Sequence, residues 1–334
     1  MEKYAIILAA GKGTRMKSKR DDISKVSFPI LGQPLVKYVI NALKPLGFKK
    51  LVAVVGFGGK TSEKIVKDEC EVVWQLEQKG TGHAVMMAGP VLEKLEGETI
   101  VCCGDTPLLT TETFEALFKA HEENGNAMTV MTSILEDPFG YGRIVKVNGN
   151  VTKIVEQKDA TEEERAINEV NAGVYVFDNA KLFEALGHLT TQNAAGEYYL
   201  TDVLGIFVKN GFKVGSYPVK DPDETLGVND RNQLSIAAKI IQNRINKAHM
   251  LAGVSIEDPE NTYIAPTVKI GQDTTIAPCS YIMGNTVIGE ESVIGPSAII
   301  KDAKIGNHAK VVLSNVVDAE VKDGEVVGPF ANVK

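Results

Sequence analysis

The sequence predicts an α/β domain with a doubly wound, mostly parallel sheet, followed by a left-handed parallel β-helix of hexapeptide repeats. Three observations predict it. The apolar run at residues 4–9 breaks at once into the glycine turn Gly11-Lys12-Gly13. Strand-like apolar runs then alternate with helical stretches through roughly the first two thirds of the chain. Finally, isoleucine recurs at every sixth position from Ile264 to Ile300. Period six is the signature of stacked parallel coils, three repeats to a triangular turn.

The first run, Tyr-Ala-Ile-Ile-Leu-Ala, has the composition of a strand buried on both faces. A turn at the carboxyl end of such a strand points backbone N–H groups outward, where phosphate can bind. Leu8, Ala9, Ala10 and Gly11 form that turn, and a basic stretch follows: Lys12, Arg15, Lys17, Lys19, Arg20 and Lys25 against Asp21 and Asp22. Two common phosphate loops are excluded. The third glycine of G-x-G-x-x-G would fall on Met16, and the Gly59-Lys60-Thr61 decoy lacks the glycine it needs at Val54. An ordinary glycine-rich βα turn is the plainer reading; Arg15 and Lys25 favour a polyphosphate.

Composition sets the bounds. A chain of 334 residues is long for one core, so two domains are expected. A net charge of −7, with nothing basic beyond the first loop, argues against a nucleic-acid partner. Cys70, Cys102, Cys103 and Cys279 show neither metal spacing nor a secreted framework, which predicts reduced thiols in a cytoplasmic protein. No stretch reads as a signal peptide or membrane span.

In order, Leu35–Leu43 reads as an amphipathic helix, residues 51–55 as a strand, 61–68 as a helix, Glu71–Trp74 as a strand and 99–103 as a strand. Gln75-Leu76-Glu77-Gln78-Lys79-Gly80-Thr81 follows the third of these strands. The amides of Gln75 and Gln78 offer donor and acceptor together and suit the edge of a flat heterocycle such as uracil. Against this, Thr81 could simply cap a helix. Asp105, just past a buried strand, is a helix cap or a metal ligand; Thr110 and Thr111 already open the next helix, which favours the ligand.

The run from Asp137 to Ile144 places glycines around Tyr141, either a hairpin turn or a close approach to a ligand. Glu156, Asn171 and the block from Gly196 to Asp202 are individually weak signals, and the acidic run 162–165 reads as a solvated face. Asn229 alone would be a turn residue. Residues 233–252 hold no Gly or Pro until Ala252 is passed, with Leu234, Ala238, Ile241 and Ile245 at helical spacing. The expected boundaries are 1–230, a linker helix at 231–252, and a β-helix at 253–334. In the repeats, Val268, Thr274, Ser280, Thr286, Ser292 and Ala298 fall four places after successive isoleucines. The pattern is read to slip by one at Ile299, Ile305 and Val311 and to resume at Val321, Val327 and Val333.

The segment from Leu8 to Met16 with Lys25 resembles the sugar-phosphate nucleotidyltransferase signature L-x-x-G-x-G-T-R-M followed by P-K, though Ser24 replaces the proline. With the linker helix and hexapeptides, the whole chain resembles the family of bacterial bifunctional N-acetylglucosamine-1-phosphate uridyltransferases and glucosamine-1-phosphate acetyltransferases. The resemblance implies a nucleotide-diphospho-sugar transferase fold. It also implies UMP transfer from UTP to N-acetylglucosamine 1-phosphate, releasing pyrophosphate, for cell-wall precursor synthesis. It assigns Arg15, Lys25 and Asp105 to catalysis and Mg2+ to Asp105 and Asn229. Leu8, Ala9, Ala10, Gly11, Gln75, Gln78, Gly80, Thr81, Cys103 and Gly104 become substrate contacts around the nucleotide. Gly142, Glu156, Asn171 and Thr201 fall in the family's order of sugar contacts. It implies a homotrimer. Gly328-Pro329-Phe330-Ala331 matches a motif lying before most of the family's acetyl-transfer residues, and His308 matches none of them, so no acetyl transfer is expected. Three rivals stand beside this reading. They are the same chemistry on another sugar 1-phosphate, a non-catalytic nucleotide-sugar-binding subunit, and a nicotinamide dehydrogenase, the last disfavoured by Met16.

Overall fold

A computed structural model describes all 334 residues, which divide into two compact units. The first contains Met1–Phe28 and Pro34–Gln233; the second contains Pro29–Gln33 and Leu234–Lys334.

The first unit is organised on β1 (Lys3–Ala9), β2 (Lys50–Val55), β3 (Glu71–Trp74), β4 (Glu98–Cys103), β5 (Met128–Ile134), β6 (Arg143–Val147), β7 (Asn150–Val155), β8 (Glu169–Asp178) and β9 (Val214–Pro218). The sheet runs β9-β5-β8-β4-β1-β2-β3, and β6 pairs with β8 and β7. β1 is central and parallel to both β4 and β2, while β8 runs antiparallel to β4 and β5. The alternation of β1 explains its uniform apolarity. Tyr4 and Ile6 enter one hydrophobic cluster, and Ala5, Ile7 and Ala9 enter another. Helices α1 (Leu35–Leu43), α2 (Gly59–Val66), α3 (Thr81–Met86) and α4 (Thr111–Asn124) begin after strand ends and loops. Thr110 caps α4, its side chain accepting from the Thr113 N–H. Helix α2 begins two residues before its expected start, at Gly59.

The second unit opens with most of the helix Arg231–Leu251 and continues as three parallel sheets in which each strand pairs with the third one after it. That connectivity is a triangular coil. Ile264, Ile276, Ile282, Ile288, Ile294 and Ile300 are buried at its core. The expected slip is corrected at one position: Ile300, fully buried, continues the interior column, while Ile299 is 47% exposed. The column then steps five residues to Ile305, and again from Val311 to Val316 and from Val316 to Val321. Val316, absent from the expected pattern, pairs in register with Ile300 and is buried. Turn shortening at the corners moves the sequence period while the interior register is kept. Leu31, in the hairpin segment assigned to this unit, packs on the same core.

Candidate functional site

The turn after β1 opens a cleft of about 540 Å³ in the first unit. Leu8, Ala9, Ala10, Gly11, Lys25, Gln75, Gln78, Gly80, Thr81, Cys103 and Asp105 all line it. Apart from Lys25, which stands on the helical turn Lys25–Ser27, these residues lie at or after the ends of β1, β3 and β4, adjacent strands or neighbours once removed, so sheet order gathers them. Gly13 adopts φ +58°, and a Cβ there would meet Lys25 Cβ at 2.7 Å, so the loop needs glycine to lie against the lysine. Gly104 is tied to the same strand end, its N–H donating to Leu8 O at 2.9 Å.

Lys25 is the hub. Its Nζ pairs with Asp105 Oδ2 and donates to Asn229 Oδ1 at 2.8 Å. Arg15 donates to the same Asn229 oxygen at 2.8 Å. Asn229 is oriented by its own backbone: Nδ2 donates to Gly227 O at 3.2 Å, which turns Oδ1 toward the cations. The Val228 N–H donates to Asp105 O at 2.8 Å, joining the two segments. Arg231 holds the basic turn, donating to Met16 O at 3.1 Å with its guanidinium 5.2 Å from the Phe28 ring centre.

Ser24, standing before Lys25 in place of proline, is fully buried. Its hydroxyl lies 2.6 Å from that of Ser62 on α2 and 3.0 Å from that of Ser27. A hydroxyl cluster fixes this turn instead of a pyrrolidine ring.

Thr81 is the first residue of α3 and Gly80 its N-cap, so the Thr81 side chain does not cap the helix. It accepts instead from the Leu200 N–H at 3.0 Å. Gln78 donates to Gln75 O at 3.0 Å, closing the loop between β3 and α3.

Gly142, Glu156, Asn171 and Thr201 form a second group. A Cβ on Gly142 would meet Ile154 Cγ2 at 3.0 Å, Glu156 Oε1 at 3.5 Å and Asn171 Cβ at 3.6 Å, so only glycine leaves that space open. Thr201 donates to Glu156 Oε1 at 3.3 Å. Burial pushes the Glu156 carboxyl up from its usual range, and the Thr201 hydroxyl pulls it back. Asn171 is partly committed within the protein, donating to Tyr175 OH at 2.7 Å and accepting from the Gly173 N–H at 2.9 Å. One amide N–H remains. Cys103 links this group to the cleft, its Sγ 3.9 Å from Gly173 O, and burial holds its thiol up at about 12. Tyr141 stands in the field of Asp105 and Arg15, although burial is the main cause of its raised phenol pKa.

Lys12, Thr14 and Glu197 also line the cleft. Lys12 could have been chosen from the basic run, and Glu197 lies in the block from Gly196 to Asp202. Arg231 carried no motif signal.

Asp105 Oδ2 and Asn229 Oδ1 converge on one ammonium nitrogen, so two hard oxygen donors fit a divalent cation of the magnesium class. No group of three or more His, Cys, Asp or Glu is assembled to hold a metal, so further ligands would come from substrate and water.

Residues 5–198 match the MobA-like NTP transferase domain, and residues 267–302 match the bacterial transferase hexapeptide of six repeats. The chain is 49% identical over its whole length to the bifunctional protein GlmU of Geobacillus sp. (strain WCH70) and to that of Lactobacillus helveticus. It is 47% identical to the GlmU of Streptococcus gordonii, and in each case it covers 72% of the relative. A nucleotidyltransferase sheet with its basic turn, joined in one chain to hexapeptide coils and matched end to end by these relatives, places the protein in the bifunctional GlmU family.

Proposed function

We propose a residue-level mechanism for the uridylyl transfer that this chain catalyses as a UDP-N-acetylglucosamine pyrophosphorylase, a step of peptidoglycan precursor synthesis. The observation that carries it is Lys25, joined to both Asp105 and Asn229 at the edge of the glycine turn. A sugar 1-phosphate is largely ionised at neutral pH, its second pKa being about 6, so no general base is needed. One of its oxygens attacks the α-phosphorus of UTP in line, and pyrophosphate departs. Catalysis is then positioning and charge neutralisation.

Backbone N–H groups from Gly11 onward, with Arg15, hold the β- and γ-phosphates and the charge that develops on pyrophosphate. Lys25 neutralises the α-phosphate and the incoming phosphate. Enzymes of this kind are generally metal-dependent. Bound on Asp105 and Asn229, Mg2+ would supply a further positive charge beside those phosphates. Gln75, Gln78, Gly80 and Thr81 read uracil, and Gly142, Glu156, Asn171 and Thr201 receive the N-acetylated sugar. In support, Thr201 occupies one Glu156 oxygen and leaves the other for a sugar hydroxyl.

Assembly as a homotrimer is part of the same proposal. It is supported by the aligned, outward-facing Tyr263, Tyr281 and Ile299 of one β-helix sheet. A cytoplasmic location is proposed from four free cysteines; no helix is long and apolar enough to cross a membrane.

The test is pyrophosphate release from UTP with Mg2+, comparing N-acetylglucosamine 1-phosphate with glucose 1-phosphate. Preference for the acetylated sugar, lost in Asn171→Ala and Glu156→Ala, is the expected result. Equal rates with both sugars, in wild type and variants alike, would remove the second group from the mechanism.

A further inference from the structure

The amide of Gln75 is 3% exposed and lines the cleft, so which of its two ends faces a ligand matters. Gln75 Nε2 lies 3.0 Å from Gly80 O and 3.0 Å from His83 Nδ1. A backbone carbonyl can only accept, so the atom facing Gly80 O is the amide nitrogen. That fixes the other contact. His83 Nδ1 must also accept, so the imidazole is neutral and carries its proton on Nε2. Both N–H bonds of the amide are then used within the protein, and no protein group donates to Gln75 Oε1. What the amide offers a base is an acceptor.

We propose that His83 is a positioning residue that sets base choice, by locking the Gln75 amide with its acceptor toward N3 of the pyrimidine. Uracil carries N3–H there and completes the bond; cytosine carries a bare N3 acceptor and meets a second one. The inference rests on the proposed placement of Gln75 against uracil and extends it to a residue outside the cleft lining. Gly80 O provides one half of the lock and His83 the other. The ring is held for this purpose by stacking on Tyr198, with centroids 6.4 Å apart and planes at 26°.

The lock depends on an unprotonated Nδ1. Protonation would place N–H against N–H and free the amide to turn. Burial, then the charge of Lys79, lowers the His83 pKa below its ordinary 6.5, while Glu77 opposes them. Tyr198 faces the ring from the other side, and Glu93 lines the surface groove that His83 shares. Base discrimination should therefore hold at neutral pH and decline only as pH falls below 6.5.

The experiment compares kcat/KM for UTP and CTP in wild type, His83→Phe and Gln75→Ala, at pH 7.5 and 5.5, with N-acetylglucosamine 1-phosphate and Mg2+. His83→Phe keeps a ring on Tyr198 and removes the acceptor. The expected result is a roughly tenfold fall in the UTP/CTP ratio at pH 7.5, carried by KM for UTP with kcat nearly unchanged. Any fall in the wild-type ratio as the pH drops below 6.5 is absent in His83→Phe. If Gln75→Ala abolishes discrimination while His83→Phe retains the wild-type ratio at both pH values, the positioning role is overturned and the placement of Gln75 stands. If Gln75→Ala itself retains the wild-type ratio, that placement is wrong and the inference falls with it. Should His83→Phe fail to fold, His83→Leu removes the same acceptor, and a wild-type UTP/CTP ratio in that variant at pH 7.5 overturns the inference by itself.

Discussion

In the transferase unit, the residues that carry chemistry stand on turns where strands end, each held by a different local device. Gly13 gives Lys25 room, Gly227 O orients Asn229, and three serine hydroxyls hold the turn before Lys25. In the β-helix the recurring positions point inward and serve packing, and one device is used again at successive coils. A site built from unique contacts should lose function without losing fold. A core built from repeats should lose stability without touching the chemistry.

The largest effect is expected at Asp105→Asn. The variant keeps the shape and one oxygen but removes the charge that pairs with Lys25. Turnover should fall about 10³-fold or more, with the thermal midpoint within a few degrees of wild type. Initial-rate pyrophosphate release and a melting curve on one preparation decide it. A parallel loss of both would mean that the Lys25–Asp105–Asn229 group holds the fold rather than the phosphates.

Next comes Ile294→Ala in the β-helix. Ile294 is fully buried, in register with Ile276 on one coil and Val311 on the next. Truncation should cost about 3 kcal/mol, read by denaturant unfolding of the repeat unit, with the uridylyl-transfer rate unchanged. A rate that falls with the stability would break the comparison.

These contrasts explain how much was legible in the sequence. The repeats can be read because one physical demand, an apolar side chain at the inward position, is written seven times from Ile264 to Ile300. Where corners shorten, the demand is spatial and the period is not, so the sequence places the slip at Ile299, one repeat too early, and does not mark Val316. The phosphate turn was legible because two glycines and a run of cations are rare together. The Asn171 amide was chosen by order in the chain, but its partners Tyr175 and Gly173 depend on how β8 bends, where its register with β5 shifts between Asn171 and Tyr175. His83 was missed because its signal lies in one carbonyl, Gly80 O, that no residue type announces.

Buried polar groups sharpen the comparison further. In the transferase unit His121 is almost wholly buried, with Nδ1 2.9 Å from Thr129 Oγ1 and Nε2 3.8 Å from Glu98 Oε1. Burial lowers the His121 pKa to about 4, and burial raises that of Glu98. The unfolded chain takes up the histidine proton near 6.5 and the folded chain only near 4. The stability from neutral His121 is therefore complete above 6.5 and is lost as pH falls. Relative to His121→Asn, wild type should lose about 2 kcal/mol between pH 7 and pH 5, measured by urea unfolding at each pH. A difference independent of pH would show that His121 takes up its proton in the fold as readily as in the unfolded chain.

The smallest effect is expected where the β-helix buries its own polar groups. Thr274 Oγ1 accepts from the Ser292 N–H at 3.0 Å, and Ser292 Oγ accepts from the Ala309 N–H at 3.1 Å while donating to Gly306 O at 2.8 Å. Thr286 and Ser314 make the same descending contact to Ala303 and Ala331 at other corners. The hydroxyl thus satisfies a backbone N–H that the strand pairing leaves over where the coil turns. Ser292→Ala would leave that N–H unpaired in the corner and should cost about 1–2 kcal/mol, less than Ile294→Ala because it removes one oxygen rather than three core carbons and leaves a smaller cavity. Ser292→Thr retains the hydroxyl and should recover most of the loss, whereas an equal loss in both variants would assign the position to volume alone. Because each hydroxyl serves the coil that follows it, the cost should appear in the amide exchange of Ala309 before it appears in any coil N-terminal to Ser292.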